Sequence, residues 1–310
     1  MRTVAVIGAA AGDRVLSVDR LPRSGEDIIA NDHGWQIGGC GFNVLRALAR
    51  LQIPVINGIR VGNGQWGQRV CQALTDLGIP PLLTSETQDN GWCFALAEST
   101  GDRTFISIPG CEEQWDRAEL QSFSLPSNSI IYASGYELGC QQGEAIQQWL
   151  LNDCLTQTLV LDLGPRLATL PNSFLRKLPA NRTILTINRD EACFLCGKGD
   201  LVKLSVDYAS DTGITLILRL DSQGAWLCQP NSQPQFVPAY QVVAVDSIGA
   251  GDAHTAGLIA GLSQGLLLKD CVDLGNHVAA IVVSQQGAAG APTLKELNQS
   301  MLTQVSTLTC

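Results

Sequence analysis

Four short apolar runs, Ser129–Ser134, Thr158–Leu163, Thr183–Asn188 and Ile214–Leu220, recur along the second half of the chain, with helical segments such as Glu144–Asn152 between them. None alternates apolar with polar residues, so each predicts a strand covered on both faces. Strands of that kind separated by helices form a mostly parallel sheet with helix layers on both sides, because parallel neighbours need a long crossover. Thr3–Ala9 is the first such strand, and the small residues from Ala10 lead out of it to Asp13. Pro54–Arg60 is another, followed by a helix over Gln68–Leu77 that Gly78 ends. Long helices are predicted over Leu268–Gln285 and Thr293–Met301. The 310 residues show no repeat, low-complexity tract or linker, so residues 1–310 read as a single α/β domain.

Two stretches interrupt the series. Residues 14–35 contain Pro22, Gly25, Asn31 and Gly34 and predict irregular chain or short antiparallel strands. Cys93–Glu98 and Arg103–Ile108, joined by Ser-Thr-Gly-Asp, make the clearest hairpin. Segments of about 14–35 and 92–108 together predict a flap over the C-terminal edge of the sheet. Ala225–Gln229 and Gln235–Tyr240 predict a local antiparallel excursion.

Bulk properties exclude several classes. With 45% hydrophobic and 16% charged residues the chain is expected to be globular. A net charge of −9 argues against nucleic acid or an anionic membrane as partner. No apolar stretch is long enough to span a bilayer. The eleven cysteines are odd in number and scattered. Cys193-x-x-Cys196 is formally a metal or redox pair, but it has no second pair and no nearby histidine, so reduced thiols on a helix are the better reading. Reduced cysteines predict a cytoplasmic protein.

The chemistry concentrates in Val245-Asp246-Ser247-Ile248-Gly249-Ala250-Gly251-Asp252-Ala253-His254. Val242, Val243 and Val245 read as a strand end, and Ala253, Ala256, Gly257, Ala260 and Gly261 as a helix. A Gly-Ala-Gly turn at a helix start offers N–H groups and a positive dipole end to an anion. Asp252 at its mouth is costly unless it takes a proton from a group attacking that anion. Gly38-Gly39-Cys40-Gly41-Phe42-Asn43 opens another helix, with Val44, Leu45, Leu48 and Leu51 as its stripe. Its glycine spacing is wrong for a dinucleotide turn. Close approach to a small ligand beside Asn43, or a tight turn before a packed helix, both remain open. Asp13, Glu137, Asn188 with Glu191, and Asp246 recur where strands are predicted to end, the rim on which ligands bind in such sheets. Asn188 and Glu191 suit water-mediated Mg²⁺ binding or a helix capping box, and the two can coexist.

Taken together, Gly38-Gly39-x-Gly41-x-Asn43 and Asp246-Ser247-x-Gly249-Ala250-Gly251-Asp252 resemble the paired signatures of the ribokinase-like (PfkB) carbohydrate kinases. Glu26 after Gly25, Asn188-x-x-Glu191, and Gly287-Ala288 before Pro292 also fit. Asp89-Asn90-Gly91-Trp92-Cys93, Ser134-Gly135-Tyr136 and Asp162-Leu163-Gly164-Pro165-Arg166 are similar to an enterobacterial subgroup of sugar kinases of unassigned substrate. The resemblance implies a three-layer αβα sandwich with a small β lid, and ATP-dependent phosphorylation of a sugar or nucleoside hydroxyl. It implies Asp252 as base and Gly249, Ala250 and Gly251 as anion hole. Asp13, Gly39 and Asn43 would hold substrate hydroxyls, with Glu137 a weaker candidate. Asn188 and Glu191 would organise Mg²⁺ and its waters. Ser222, Gly224 and Asn276 would lie near the nucleotide, and Asp246 and Ser247 near a monovalent cation such as K⁺. A homodimer through the lid is implied by resemblance alone.

Departures from the pattern narrow these expectations. Ser247 replaces the usual Thr and keeps the hydroxyl. His254 replaces the usual Phe, which predicts a packing role. Ala11 stands where ribokinase carries a substrate-binding Asn, which counts against plain ribose. Arg219-Leu220-Asp221 replaces the usual Thr-x-Gly before the nucleotide loop. Trp92 and Phe105 could cover a sugar ring or pack the lid. Arg103 and Arg166 could meet an acidic substrate, although surface arginines rarely do. The alternatives are a nucleoside kinase, a sugar-binding protein without catalysis and, more distantly, a nicotinamide-dependent enzyme.

Overall fold

The computed structural model describes residues 1–100, 103–285 and 290–300. Within them the elements follow in the order β1 (Val4–Gly8), β2 (Ala11–Val18), β3 (Asn31–Gly38), α1 (Cys40–Arg50), β4 (Val55–Val61), α2 (Gln65–Asp76), β5 (Leu83–Thr84), β6 (Trp92–Glu98) and β7 (Arg103–Ile108). There follow α3 (Arg117–Gln121), β8 (Ile130–Ser134), α4 (Gly135–Leu138), α5 (Gly143–Asn152), β9 (Thr158–Asp162), α6 (Asn172–Leu175), β10 (Thr183–Ile187), α7 (Arg189–Cys196) and α8 (Leu201–Thr212). The chain continues through β11 (Thr215–Arg219), β12 (Gly224–Cys228), β13 (Gln235–Pro238), α9 (Ala250–Gln264) and α10 (Leu268–Val283), and residues 294–300 are helical.

Among the described residues these strands make a nine-stranded sheet, β13-β12-β11-β10-β9-β8-β1-β4-β5, parallel except at β12 and β13. Alternate residues feed two apolar layers. Val4, Val6, Ile130, Tyr132, Val160 and Ile217 pack with α1, α2, α9 and α10. Ala5, Ile7, Ile131, Ala133, Leu161, Leu185 and Leu218 pack with α5, α6 and α8 on the other side. Covering both faces explains why the sequence runs are uninterrupted. The main sheet and its two helix layers make a three-layer αβα sandwich.

The lid is a second sheet of order β3-β2-β6-β7. Its outer pairs are antiparallel, but β2 runs parallel to β6, so it is mixed. It begins at Ala11 and ends its first hairpin at Gly38, closer to the core than residues 14–35 suggest. Asp89 and Asn90 make the joint. Asp89 Oδ1 accepts from Gly67 N at 2.7 Å and Asp89 Oδ2 from Trp66 N at 3.0 Å, which caps α2. Asn90, buried, donates to the Ala10 and Arg60 carbonyls at 3.1 and 2.9 Å.

Three expectations need correction. Val242, Val243 and Val245 form no strand; they are 43%, 84% and 61% exposed on an irregular segment that bends at Val245. Asp246 therefore follows a loop, held by Val283 O through its own N–H and that of Val245. Asp13 is not at the end of a core strand but inside β2, on the lid. Gly101, Asp102, the Arg103 side chain, Gly287, Ala288 and Met301 lie outside the described residues.

Candidate active site

Two helix starts meet at the C-terminal edge of the main sheet. The N-cap residues are Gly39 for α1 (φ 99°) and Gly249 for α9 (φ 73°), left-handed backbone that glycine tolerates best, and neither residue has a side chain with which to cap its helix. The same chain caps α3, α7 and α8 with Asp116, Asn188 and Asp200. A helix start capped by glycine keeps its dipole for an outside anion, together with those N–H groups that no backbone carbonyl takes; Phe42 N goes to Ala9 O at 3.0 Å.

Asn43 and Asp252 join these two starts. Asn43 Nδ2 donates to Asp252 Oδ2 at 2.8 Å across 209 positions of sequence. Arg46 Nη2 donates to Asn43 Oδ1 at 2.9 Å, which fixes which end of the amide faces the carboxylate. Burial pushes Asp252 up to about 6, against the bond from Asn43 that favours its ionised form. The Asp162 carboxylate adds to the rise, while the Cys40 thiol and the Arg219 guanidinium oppose it. A carboxylate titrating there is charged at neutral pH yet basic enough to accept a proton.

The lid brings Asp13 to the start of α1. A Cβ on Gly38 would stand 2.2 Å from Asp13 Oδ2, so any other residue there would push that carboxylate off its present place against the turn. Cys93 Sγ donates to Asp13 Oδ1 at 3.0 Å, and burial still raises the Asp13 pKa. Asp13 lines a cavity of about 280 Å³ with Gln36, Gly38, Phe42 and Arg46. The turn also serves packing, since a Cβ on Gly41 would lie 2.6 Å from Gly8 Cα, where α1 meets β1. The two open readings of residues 38–43 are thus compatible.

Glu137 is spent internally. Its Oε1 accepts from Ala9 N at 2.9 Å and its Oε2 from Ser134 Oγ at 2.5 Å, tying β1 to β8. Burial lifts it to about 7. Asn188 and Glu191 form the capping box of α7, with Glu191 N donating to Asn188 Oδ1 at 2.9 Å and Asn188 N to Glu191 Oε2 at 2.9 Å. Among the described residues no group of three or more His, Cys, Asp or Glu could hold a metal ion directly. The donor set fits a metal carried by phosphate and water rather than by a protein cage. Asp246 Oδ1 accepts from Ile248 N at 2.9 Å, and Ser247 O accepts from Ala250 N at 3.2 Å, shaping the approach to the turn.

Gly224 and Asn276 gather beside β13. Gly224 pairs with Pro238, and Asn276 donates to the Val237 and Pro238 carbonyls at 3.0 and 3.1 Å. Ser222 is exposed on the turn before Gly224. His254 is buried and its pKa is pushed down to about 3 by burial and the nearby Arg219, so it packs as a neutral ring. Trp92 lies 6.4 Å from Trp66 of α2, joining lid to core, whereas Phe105 is 54% exposed. Arg166 lies over the Tyr136 ring at 5.6 Å. Cys193 and Cys196 are free, as are the other described cysteines.

Residue-by-residue reading missed one pair. Asp162 at the end of β9 accepts two bonds from Arg219 at the end of β11, at 3.0 and 3.2 Å. Both residues stand inside motifs singled out from the sequence, but 57 positions separate them. Only the strand order brings them together.

This geometry agrees with similarities to known proteins. The pfkB family carbohydrate kinase model matches residues 1–294. The chain is 37% identical over 300 residues to the uncharacterized sugar kinase YegV of Escherichia coli (strain K12), across 96% of this chain and 93% of that protein. Arabidopsis thaliana ribokinase, solved with ribose and ATP, superposes with TM-score 0.77 at 21% identity, over 96% of this chain and 98% of that one. Adenosine kinase from Sinorhizobium meliloti superposes with TM-score 0.82 at 17% identity, over 97% and 99%. Sequence signatures, sheet order and family match agree: the chain belongs to the pfkB family of carbohydrate kinases.

Proposed function

We propose that the protein transfers the γ-phosphoryl group of ATP to a hydroxyl of a sugar or sugar-like acceptor, with Asp252 as general base. The observation that carries this is the 2.8 Å bond between Asn43 and Asp252, which puts a carboxylate of raised pKa between two helix starts without side-chain caps. The acceptor hydroxyl gives its proton to Asp252 as its oxygen attacks the γ-phosphorus. The new P–O bond forms while the bond to the β-phosphate oxygen breaks and ADP leaves. The N–H groups at Gly249, Ala250 and Gly251 meet the charge on the transferred group. Asp13, Gly39 and Asn43 position the acceptor, and Glu137 holds the rim beneath them.

The nucleotide lies towards Ser222, Gly224 and Asn276, and Asn188 and Glu191 would hold, through water, the Mg²⁺ that accompanies its phosphates. That ion neutralises phosphate charge when bound. The corner at Asp246 and Ser247 is the place for a monovalent cation such as K⁺. The lid excludes water and so limits ATP hydrolysis. It also offers Trp35, Ile106 and Ile108, 38%, 53% and 40% exposed, as one apolar face for pairing in a homodimer.

A coupled ADP-release screen over sugars, sugar acids and nucleosides tests this reading. ADP formation that depends on one sugar-like acceptor and vanishes in Asp252→Asn supports it. Acceptance of nucleosides alone would move the assignment to a nucleoside kinase, and binding of a sugar without ADP release to a non-catalytic protein.

A further inference from the structure

The ion pair of Asp162 and Arg219 has no part in the mechanism above, yet it lies against the anion turn. A Cβ on Gly251 would come within 2.8 Å of Arg219 Nη1. Asp162 grips both Nη atoms, Glu191 Oε2 is 3.8 Å from Nη2, and Thr255 Oγ1 of α9 donates to Asp162 Oδ2 at 3.0 Å. The side chains of Arg219 and Asp162 are 14% and 11% exposed. Carboxylates from β9 and α7 therefore hold a guanidinium beside the first turn of α9.

A cation in that place is unfavourable on local grounds. The start of a helix is already a positive pole, and a guanidinium beside it is repelled unless an anion comes between. The pair also costs desolvation that two apolar side chains would not. Three carboxylates, Asp162, Glu191 and Asp252, surround a site that must admit a polyphosphate, and Arg219 is the cation inserted among them. A guanidinium carries five N–H donors. Two serve Asp162, and Nε is buried without an acceptor among the described residues. Burial works to lower the Arg219 pKa, but Asp162 and Glu191 outweigh it and the net shift is upward, so the charge persists.

We propose that Arg219 is a phosphate-binding residue of the nucleotide site, clamped by Asp162 and Glu191 so that its guanidinium and the Gly249–Gly251 turn hold the same polyphosphate. The proposal rests on the kinase reading for the identity of the ligand. A planar fork held on one edge by a carboxylate keeps its other N–H groups in fixed directions, which a lysine could not reproduce. The Asp162 carboxylate is then a positioning group, and Arg219 replaces the small Thr of related nucleotide loops with a charge.

Calorimetric titration with MgADP, and with adenosine as a phosphate-free reference, tests it on wild type, Arg219→Lys and the double variant Asp162→Asn/Arg219→Gln. The double variant removes both charges of the pair, so Asp162 is not left ionised without its partner, while Glu191 keeps its hydrogen bonds to Asn188, and circular dichroism and melting on the same samples report its fold. The expected result is MgADP binding weakened about tenfold or more with adenosine binding unchanged, the loss of roughly one charged hydrogen bond. Arg219→Lys is expected to lose a smaller factor for MgADP alone. MgADP affinity equal to wild type in the double variant would show that Arg219 only neutralises Asp162, and would overturn the proposal. Equal weakening of MgADP and adenosine would assign the pair to structure and overturn it too. Should the double variant not fold, Arg219→Lys decides, and unchanged MgADP affinity there overturns the proposal. Wild type that binds neither ligand would sink the kinase reading itself, whereas normal wild type with unaffected variants would sink only the role of Arg219.

Discussion

The two sheets of this molecule are built from different surroundings. Strands β8 and β10 are buried along their whole length between helix layers. The lid strands are half-buried, and β3 keeps Asn31, Asp32, His33 and Trp35 exposed. A sheet clamped on both faces sits in a close-packed interior that holds groups to within tenths of an ångström. A sheet covered on one face opens at lower cost. The proposed chemical groups, Asp252 and the Gly249–Gly251 turn, stand at the edge of the first sheet, while Asp13 stands on the second. The difference teaches a division of labour: the rigid edge aligns the transfer, and the lid selects and encloses the acceptor.

The largest test of that division is Asp252→Asn. Loss of a general base should lower kcat by about 10²–10⁴-fold with MgADP affinity kept. The same substitution should stabilise the fold at alkaline pH. Asp252 titrates near 6 in the folded protein against 3.8 for an ordinary aspartate, so the stability it contributes is complete below about 4 and is lost as pH rises through 6. Asparagine cannot ionise, so the variant should gain on the order of 3 kcal/mol over wild type at pH 8, shrinking to nothing near pH 4. Denaturant titrations at both pH values check the sign. In wild type, kcat/KM should fall on the acid side with an apparent pKa of about 6. Asn43→Ala removes a bond that favours the ionised form and should move that limb to higher pH.

Next in size is Leu185→Ala, at a fully buried site in β10. It should cost about 2–5 kcal/mol of unfolding free energy, with whatever remains folded turning over normally. Asp13→Ala should instead raise KM for the acceptor by about 10- to 100-fold, the range of a hydrogen bond to a charged group, and leave the affinity for MgADP unchanged. A fall in kcat as deep as that of Asp252→Asn would erase the distinction between edge and lid.

The same contrast decides what sequence can show. Ile130–Ser134 and Thr183–Ile187 were legible because burial on both faces demands an unbroken apolar run. Strands β2 and β3 are legible only as irregular chain or short antiparallel strands within 14–35 and not in their extent, because a half-covered sheet admits Asp13, Arg14, Asp32 and His33, and a long loop with Pro22 and Gly25 separates them. The parallel pairing of β2 with β6 joins segments that only the tertiary fold can register. The Gly249–Asp252 turn was readable because helix-start chemistry is local. The loop before it reads as a strand end in the sequence because exposed Val242, Val243 and Val245 imitate one. Asp162 stands in a stretch that matches a subgroup of the family and Arg219 in one that departs from the family pattern, but a pairing across strand order cannot be read from spacing. Asn188 and Glu191 satisfied their capping-box pattern in full.

Trp35 offers the smallest expected effect and the finest test. It packs edge-on to Trp66 at 4.7 Å, lies 6.1 Å from Trp92, and carries the Arg14 guanidinium over its ring at 4.3 Å. Such aromatic and cation–π contacts are worth about 0.5–1.5 kcal/mol each beyond area, less where water reaches them. Trp66 belongs to α2 and Trp92 to the lid, so Trp35 helps to set the lid's angle on the core rather than the core itself. Trp35→Ala should therefore lower global stability by only about 1 kcal/mol, because the ring is 38% exposed. Its larger consequence should be a higher KM for the acceptor and more ATP hydrolysis without acceptor, with kcat at saturation nearly unchanged. Steady-state kinetics beside a denaturation curve separates these outcomes. A loss of kcat with normal KM would mean that the lid's angle aligns the reacting groups, and the boundary between the two sheets would have to be drawn elsewhere.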